Sequence, residues 1–532
     1  MTEQVYDYVI VGGGSAGCVL AARLSENRKA KVLLLEAGKK DSHPYIHMPV
    51  GFAKLTSGPF TWGLTTAPQK YANNREISYA QARVLGGGSS INAEIFTRGH
   101  PSDYDRWAEE KGFEDWAFDR IQKYFIRSEG NTILSGEWHG TEGPLGVSNI
   151  PDPQTVTRAF VQSCQEFGVP YNGDFNGAQQ EGAGVYQTTT KNARRSSASV
   201  GYLRPALDRS NLKVITEANV QRIVFEGKRA TGVEFIQKGK NQIVSCGSEV
   251  IVTSGAIGSP KLLMLSGVGP AAHLREHGIE VVHDLPGVGQ NLNDHFGIDI
   301  VAELKGQTSL DKYAKPHWMI WAGLQYMLFK SGPVTSNVVE GGAFWYCDKD
   351  AKSPDLQFHF LAGAGAEEGV PSVPSGSGVT LNSYTLRPRS RGTVTLRSAN
   401  PSDLPIVDPN YLSDPYDLRI AAEGVRISRE IFRQPSLQKY IKRQHLPGDE
   451  VVSQNDFEDY ARQYGRTSYH PTCTCKMGSD EMSVVDAQLR VRGLEGLRIC
   501  DSSVMPSLIS SNTNAPTMMI AEKGSDMILG NQ

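Results

Sequence analysis

The sequence has no strong charge bias, no long apolar run and no regular cysteine pattern, and each absence excludes something. Lys+Arg total 54 against 57 Asp+Glu, a net charge of −3 with no long single-sign run, so nucleic acid is not an expected partner. No uninterrupted apolar stretch reaches the ~18 residues that a membrane-spanning helix needs. The longest candidate, Trp318 to Phe329, contains Gln325 and reads as a buried helix, with peripheral membrane contact as the alternative. Residues 1–5 lack the basic start and apolar core of a signal peptide. The seven cysteines (Cys18, Cys164, Cys246, Cys347, Cys473, Cys475, Cys500) are odd in number and scattered, which reads as reduced thiols in a cytoplasmic protein, at most peripheral to an inner membrane. Internal repeats are absent as well.

Glycine, by contrast, is abundant at 55 of 532 residues, so this fold calls for backbone freedom or close backbone approach. The first cluster opens the chain. A β-branched run, Asp7 to Val11, leads into Gly12, Gly13, Gly14, Ser15, Ala16 and Gly17, after which Val19, Leu20, Ala22 and Leu24 continue with helical character. Lys31 to Leu35 then reads as a second buried strand, ending in Glu36 and Ala37. Strand, glycine turn, helix, strand and acid together make the dinucleotide-binding βαβ unit. Gly12 permits the tight turn, Gly14 admits a pyrophosphate, Gly17 lets the helix pack close, and Glu36 lies where a carboxylate binds ribose hydroxyls. This unit alone does not separate NAD from FAD. Further strand-like runs occupy 211–216, 220–225, 230–235 and 249–253, and the Gly-, Pro- and Ser-rich stretch 365–377 is the best loop candidate.

A second cluster decides the cofactor. Ala82-Arg83-Val84-Leu85-Gly86-Gly87-Gly88-Ser89-Ser90-Ile91-Asn92-Ala93-Glu94, continuing to Asp105, matches position by position the first signature of the glucose-methanol-choline (GMC) family of FAD-dependent oxidoreductases. Gly255 to Gly269 matches the second. The resemblance continues through Leu285 to His295, Arg387 to Gly392, Tyr469-His470-Pro471 and Asn514 to Thr517, so it covers nearly the whole chain.

That resemblance implies an α/β fold in which a Rossmann-like FAD-binding domain (1–155, 205–300 and 460–532) is interleaved with an α+β substrate domain (156–204 and 301–459) carrying an antiparallel sheet. It implies FAD contacts at Gly12, Gly14, Ser15, Ala16, Gly17, Glu36, Ala37, Arg83, Gly87, Gly88, Ser89, Asn92, Ala93, Val220, Asp501, Asn514, Pro516 and Thr517. It also places the proton acceptor at His470 and its partner at Asn514, where relatives carry histidine or asparagine. Asparagine can donate to a substrate oxygen but is no base at neutral pH, which leaves His470 as the base. Relatives that bind FAD covalently do so through a histidine just before the signature asparagine; Ile91 stands there, so noncovalent FAD is expected.

Glu94, Asn337 and Tyr469 are the candidate substrate contacts, although Glu94 reads first as half of a structural ion pair and only second as a contact to a polyhydroxylated substrate. The Cys473–Cys475 pair lacks two further ligands, and packing is the expected role rather than metal binding. Within the family, the segments around His47, Phe96 and Asn337 are similar to the bacterial L-sorbose dehydrogenase branch, which implies oxidation of L-sorbose to L-sorbosone with electrons passed to a quinone-type acceptor or dye. Alternatives are an oxygen-using alcohol oxidase of the hydroxymethylfurfural or aryl-alcohol type, a choline or polyethylene glycol dehydrogenase and, from a different class, an FAD-containing hydroxynitrile lyase. Composition and motifs leave the oligomeric state undetermined.

Overall fold

The computed structural model describes residues 5–348, 350–365 and 369–530. The outer ends of the first and last expected segments, and part of the 365–377 loop candidate, lie outside the described residues.

The chain starts as anticipated, with β1 (Val5–Val11), α1 (Ser15–Leu24) and β2 (Val32–Leu35). After α2 (Thr155–Phe167) and β3 (Gly182–Val185) it returns through β4 (Leu212–Ile215), β5 (Ala218–Glu226), β6 (Arg229–Gln237), β7 (Lys240–Val252) and α3 (Gly255–Leu265). It then runs through β8 (Phe296–Leu304), α4 (Pro316–Phe329), β9 (Val339–Trp345), β10 (Leu356–Leu361), β11 (Gly378–Thr385), α5 (Pro415–Arg433), β12 (Ile441–Leu446) and β13 (Arg466–Thr467). It closes with β14 (Leu497–Ile499) and α6 (Asn514–Leu529).

Two sheets result. The first has the order β4-β2-β1-β7-β6-β5, with β14 paired to β7. Its parallel members β4, β2, β1, β7 and β14 form the dinucleotide-type layer, and β5 and β6 extend it antiparallel. β2 is apolar and wholly buried, and β1 is so from Val9 to Val11, as strands covered on both faces must be. The second sheet is antiparallel, in the order β12-β8-β11-β10-β9-β3, with β13 on β8. The helices α2 and α5 cover it, and a second hydrophobic core lies between them.

The crossings between layers fall a few residues inside the boundaries drawn from the resemblance. The second sheet begins at Phe296 rather than after 300, and β13 at Arg466–Thr467 still belongs to it, beyond 460.

One expectation fails in kind. The apolar segment 318–329 does form a helix, α4, but it is not buried: only Ala322 and Tyr326 are enclosed, and Leu328 and Phe329 are each 72% exposed. Composition alone cannot tell a helix enclosed on all sides from one enclosed on a single side. No helix among the described residues is long and apolar enough to cross a membrane.

Candidate active site

The two glycine turns meet face to face. The amide of Gly86 donates to the Gly13 carbonyl at 2.7 Å, and a Cβ on Gly87, at φ +55°, would stand 2.6 Å from Gly14 Cα. Gly14 and Gly88 border a cavity of about 370 Å³, where a Cβ on Gly88 would meet nothing within 4 Å. Three helix N-termini, at Ser15, Gly255 and Asn514, open onto this cavity; those at Ser15 and Asn514 carry no side-chain cap, while the Gly255 amide donates to Asp501. Unpaired amides at converging positive helix ends suit a pyrophosphate. Glu36 stands at the same wall with its carboxylate oxygens accepting from Gly13 N at 2.7 Å and Gly38 N at 2.6 Å. Burial raises its pKa to about 6 against those two hydrogen bonds. Lone pairs remain for ribose hydroxyls, so the residues present fit FAD.

Of the residues assigned to FAD, Gly12, Gly14, Ser15, Ala16, Glu36, Ala37, Gly87, Gly88, Asn92, Ala93, Val220, Asp501, Asn514 and Thr517 do line the cavity. Four do not. Gly17 packs inward, where a Cβ would lie 1.9 Å from the Gly12 carbonyl oxygen; Ser89 is spent on Gly86 O and Ala198 N. Arg83 lies over the Trp62 ring, 4.7 Å from its centroid, and Pro516 is buried in the first turn of α6. Gly17 and Ser89 therefore shape the cradle from behind its wall. Asp501 accepts from Gly255 N at 2.9 Å, Ser259 Oγ at 2.6 Å and Ser503 N at 2.8 Å, which ties α3 to the turn after β14.

At the far end of the cavity stands His470, set between Tyr469, whose φ of +62° turns the chain, and Pro471. Its backbone N–H donates to Asp294 at 2.8 Å; that carboxylate also takes hydroxyls from Tyr79 at 2.7 Å, Thr467 at 2.6 Å and Tyr411. Its ring is oriented by a chain of hydrogen bonds whose proton positions follow from the partners. The Leu386 carbonyl, 3.0 Å from His295 Nε2, can only accept, so His295 carries its proton there and offers a lone pair at Nδ1. His470 Nδ1, 3.0 Å away, must then be the protonated nitrogen, which leaves Nε2 with its lone pair toward the cavity. Burial, with His295 and His359 nearby, holds the His470 pKa well below the ordinary value, so the imidazole is neutral at pH 7. It is a base with an available lone pair.

The partner of that lone pair corrects the sequence reading. Asn512, not Asn514, lies beside His470, with Nδ2 3.2 Å from Nε2. Its amide is fixed because Oδ1 accepts from Thr97 Oγ1 at 3.0 Å and from Gln357 Nε2 at 3.2 Å. Gln357 in turn donates to Tyr186, whose hydroxyl is spent on the Phe358 carbonyl. Asn514 starts α6, and its Oδ1 accepts from Ser15 Oγ at 2.9 Å, beside the phosphate end of the cradle.

The substrate candidates also separate. Tyr469 and Glu94 line the cavity. Glu94, fully enclosed with φ +62°, pairs with Arg195 Nε at 3.3 Å, as the ion-pair reading anticipated. Burial raises its pKa to about 7 despite that neighbour. Asn337 stays off the cavity wall and donates to Ala93 O at 2.6 Å, bracing the signature segment from behind. Further lining comes from the apolar Phe52, Leu64, Ile95, Val339 and Leu361, from the polar roof residues His359 and Asn382, and from Thr56, Gln81, Arg466 and Ser468. Cys473 adopts φ +75°, in the left-handed region; its thiol and that of Cys475 are in the core.

Two family models, both described as GMC oxidoreductase, match residues 6–297 and 388–521. The chain is 45% identical over 532 residues to "Alcohol dehydrogenase (acceptor)" of Pseudomonas putida, covering 99% of this chain and 96% of that one. It is 41% identical over 540 residues to human mitochondrial choline dehydrogenase, covering 99% and 90%. Among solved structures it resembles pyridoxine 4-oxidase from Mesorbium loti, with a TM-score of 0.90, 29% identity and coverage of 99% and 100%. Formate oxidase from Aspergillus oryzae gives 0.94, 26%, and coverage of 100% and 99%.

Proposed function

The chain belongs to the GMC oxidoreductase family, whose members act on alcohols with FAD, and on that premise we propose that it dehydrogenates an uncharged primary alcohol to the aldehyde with His470 as base. The observation that carries this reading is the neutral His470 with its Nε2 lone pair aimed into the cavity and an Asn512 N–H beside it. FAD, when bound, supplies the acceptor for the hydride that leaves the carbinol carbon. The substrate hydroxyl inserts between the two side chains, giving its proton to Nε2 while Asn512 donates to the oxygen as negative charge develops there. His295 keeps the ring in the one tautomer that can accept.

The lining favours a largely apolar alcohol over L-sorbose. A ketohexose needs many partners, yet the polar roof groups are already engaged. His359 Nε2 contacts Gln357 and Tyr384, and Asn382 donates to Asp299 at 2.8 Å. Glu94, the anion on the cavity wall, lies against Arg195, which offsets the charge that a quaternary ammonium would seek there. The relative whose name specifies only an acceptor is compatible with a quinone-type acceptor here. The carbon-only side chain of Ile91 at the usual attachment position supports noncovalent FAD, which acid precipitation would release as a yellow supernatant.

Anaerobic stopped-flow reduction tests the base: His470→Ala retains FAD but slows reduction by alcohol at least ~100-fold. Reduction at near wild-type speed refutes it. A panel of hexanol, benzyl alcohol, choline and L-sorbose, each with oxygen and with a quinone or phenazine dye, tests the rest; turnover confined to sorbose, or rapid peroxide formation with no gain from the dye, overturns the substrate and acceptor assignments.

A further inference from the structure

Seventeen large apolar side chains stand exposed on the described surface, and seven of them lie on one helix: Met319, Ile320, Trp321, Leu324, Met327, Leu328 and Phe329 of α4. An ordinary surface helix turns an apolar stripe inward and a polar side to water. This one has no Lys, Arg, Asp or Glu from Pro316 to Phe329. Its inner side is already used. Ala322 and Tyr326 pack with Val334 against Met48, Val50 and Tyr313, and the Tyr326 hydroxyl donates to the Ala193 carbonyl at 3.0 Å. The outer side is a contiguous apolar face with no described residue covering it, of the kind that marks a contact surface.

The charges around that face are of one sign. Lys312 and Lys315 precede the helix, Lys330 follows it, and Arg194 approaches Tyr326. Lys312 Nζ lies 3.8 Å from the centroid of the Trp318 ring, and Lys330 Nζ 4.6 Å from that of Tyr326. The carboxylate closest in sequence, Asp311, is turned inward, accepting from Ala364 N and Gly378 N and from Ser309 Oγ. An apolar face with indoles at its start and cations at its edges complements an anionic leaflet, where apolar groups enter the acyl boundary and lysines meet headgroups. A second copy docking through this face by a two-fold axis would instead set the same cations against one another.

We propose that α4 seats this protein on an anionic lipid bilayer as a peripheral anchor. The proposal does not rest on the redox reading, but it places the cavity usefully. Met48 and Val50, against which the inner face packs, belong to the segment that continues to Phe52 and Thr56 in the cavity wall. A lipophilic alcohol or a membrane quinone would then reach the site from the leaflet.

The test is co-sedimentation of the full-length holoprotein with phosphatidylcholine vesicles, with and without phosphatidylglycerol. Wild type is expected to pellet with the phosphatidylglycerol vesicles and to bind the neutral ones more weakly. The double variant Leu324→Glu, Leu328→Glu stays in the supernatant with its turnover of a water-soluble alcohol unchanged, since neither residue touches the cavity. Each of Lys312→Gln, Lys315→Gln and Lys330→Gln lowers the vesicle partition coefficient about fivefold. Wild type remaining soluble with both vesicle types overturns the proposal, and equal binding to both overturns its electrostatic half. A wild-type dimer that the double variant converts to monomer, without vesicle binding, assigns the face to a second copy instead.

Discussion

Two asparagines two residues apart carry the sharpest prediction. Asn512 presents Nδ2 to His470 Nε2 at 3.2 Å because Thr97 and Gln357 hold its oxygen away, so one amide hydrogen meets the base and the other faces the cavity. Asn512→Ala removes a preorganised donor from the oxygen on which charge develops, a loss worth about 10²–10³ in rate, or about 3–4 kcal/mol. Asn512→Asp is worse at neutral pH. Thr97 and Gln357 still hold one oxygen, so the other faces the imidazole and favours its protonated, inactive form; part of the rate returns as pH rises. Asn514→Ala loses one hydrogen bond from Ser15 beside the cradle, 2.9 Å long, and lowers FAD affinity about 2- to 10-fold while leaving reduction of the bound flavin near wild type. The assay is anaerobic stopped-flow at saturating FAD, with cofactor affinity measured separately by fluorescence. A large rate loss in Asn514→Ala with little effect in Asn512→Ala refutes the assignment.

Three further outcomes follow from the same geometry. Gly14→Ala meets nothing nearer than 3.9 Å in the protein and leaves the apoprotein's Tm unchanged while obstructing FAD; Gly17→Ala, with its Cβ 1.9 Å from a carbonyl oxygen, lowers the Tm itself, and differential scanning with and without FAD separates the two. Burial lowers the pKa of His295 to about 4, so between pH 6.5 and about 4 the unfolded chain binds a proton the folded one refuses. Stability is therefore full above pH 6.5 and falls by about 3 kcal/mol on the way down, a slope that His295→Gln flattens in Tm-against-pH measurements. Glu94→Gln strands the buried Arg195 guanidinium and destabilises the fold by about 3–5 kcal/mol without changing KM, whereas a KM rise at unchanged Tm would restore Glu94 to the substrate.

The cradle was legible in the sequence because glycine is forced at its centre: a Cβ on Gly87, at φ +55°, would stand 2.6 Å from Gly14 Cα. His470 was legible through its motif. The choice between Asn512 and Asn514 was not, since it depends on where α6 begins; the helix starts at Asn514 and points that side chain at Ser15, leaving the preceding turn to face the base. The paired asparagines were the only signal. His295 stood in a recognised motif but gains its role from the Leu386 carbonyl, which arrives from a segment 91 residues away. For α4, a uniformly apolar sequence carries no mark of which side is covered.

Asp294 and His295, adjacent in the chain, grip the same histidine from two directions, one by its backbone and the other by its ring, just where β8 begins. The proton acceptor is thus mounted on the seam between the layers and not on the roof strands β9, β10 and β11, which contribute Val339, His359, Leu361 and Asn382 to the cavity. Substrate range and proton chemistry are consequently separable under selection. The roof can be rewritten at Val339, Leu361 and Asn382 while the acid–base unit, to which His359 is coupled, is inherited intact, which makes those three positions the natural library for redirecting this protein to a new alcohol.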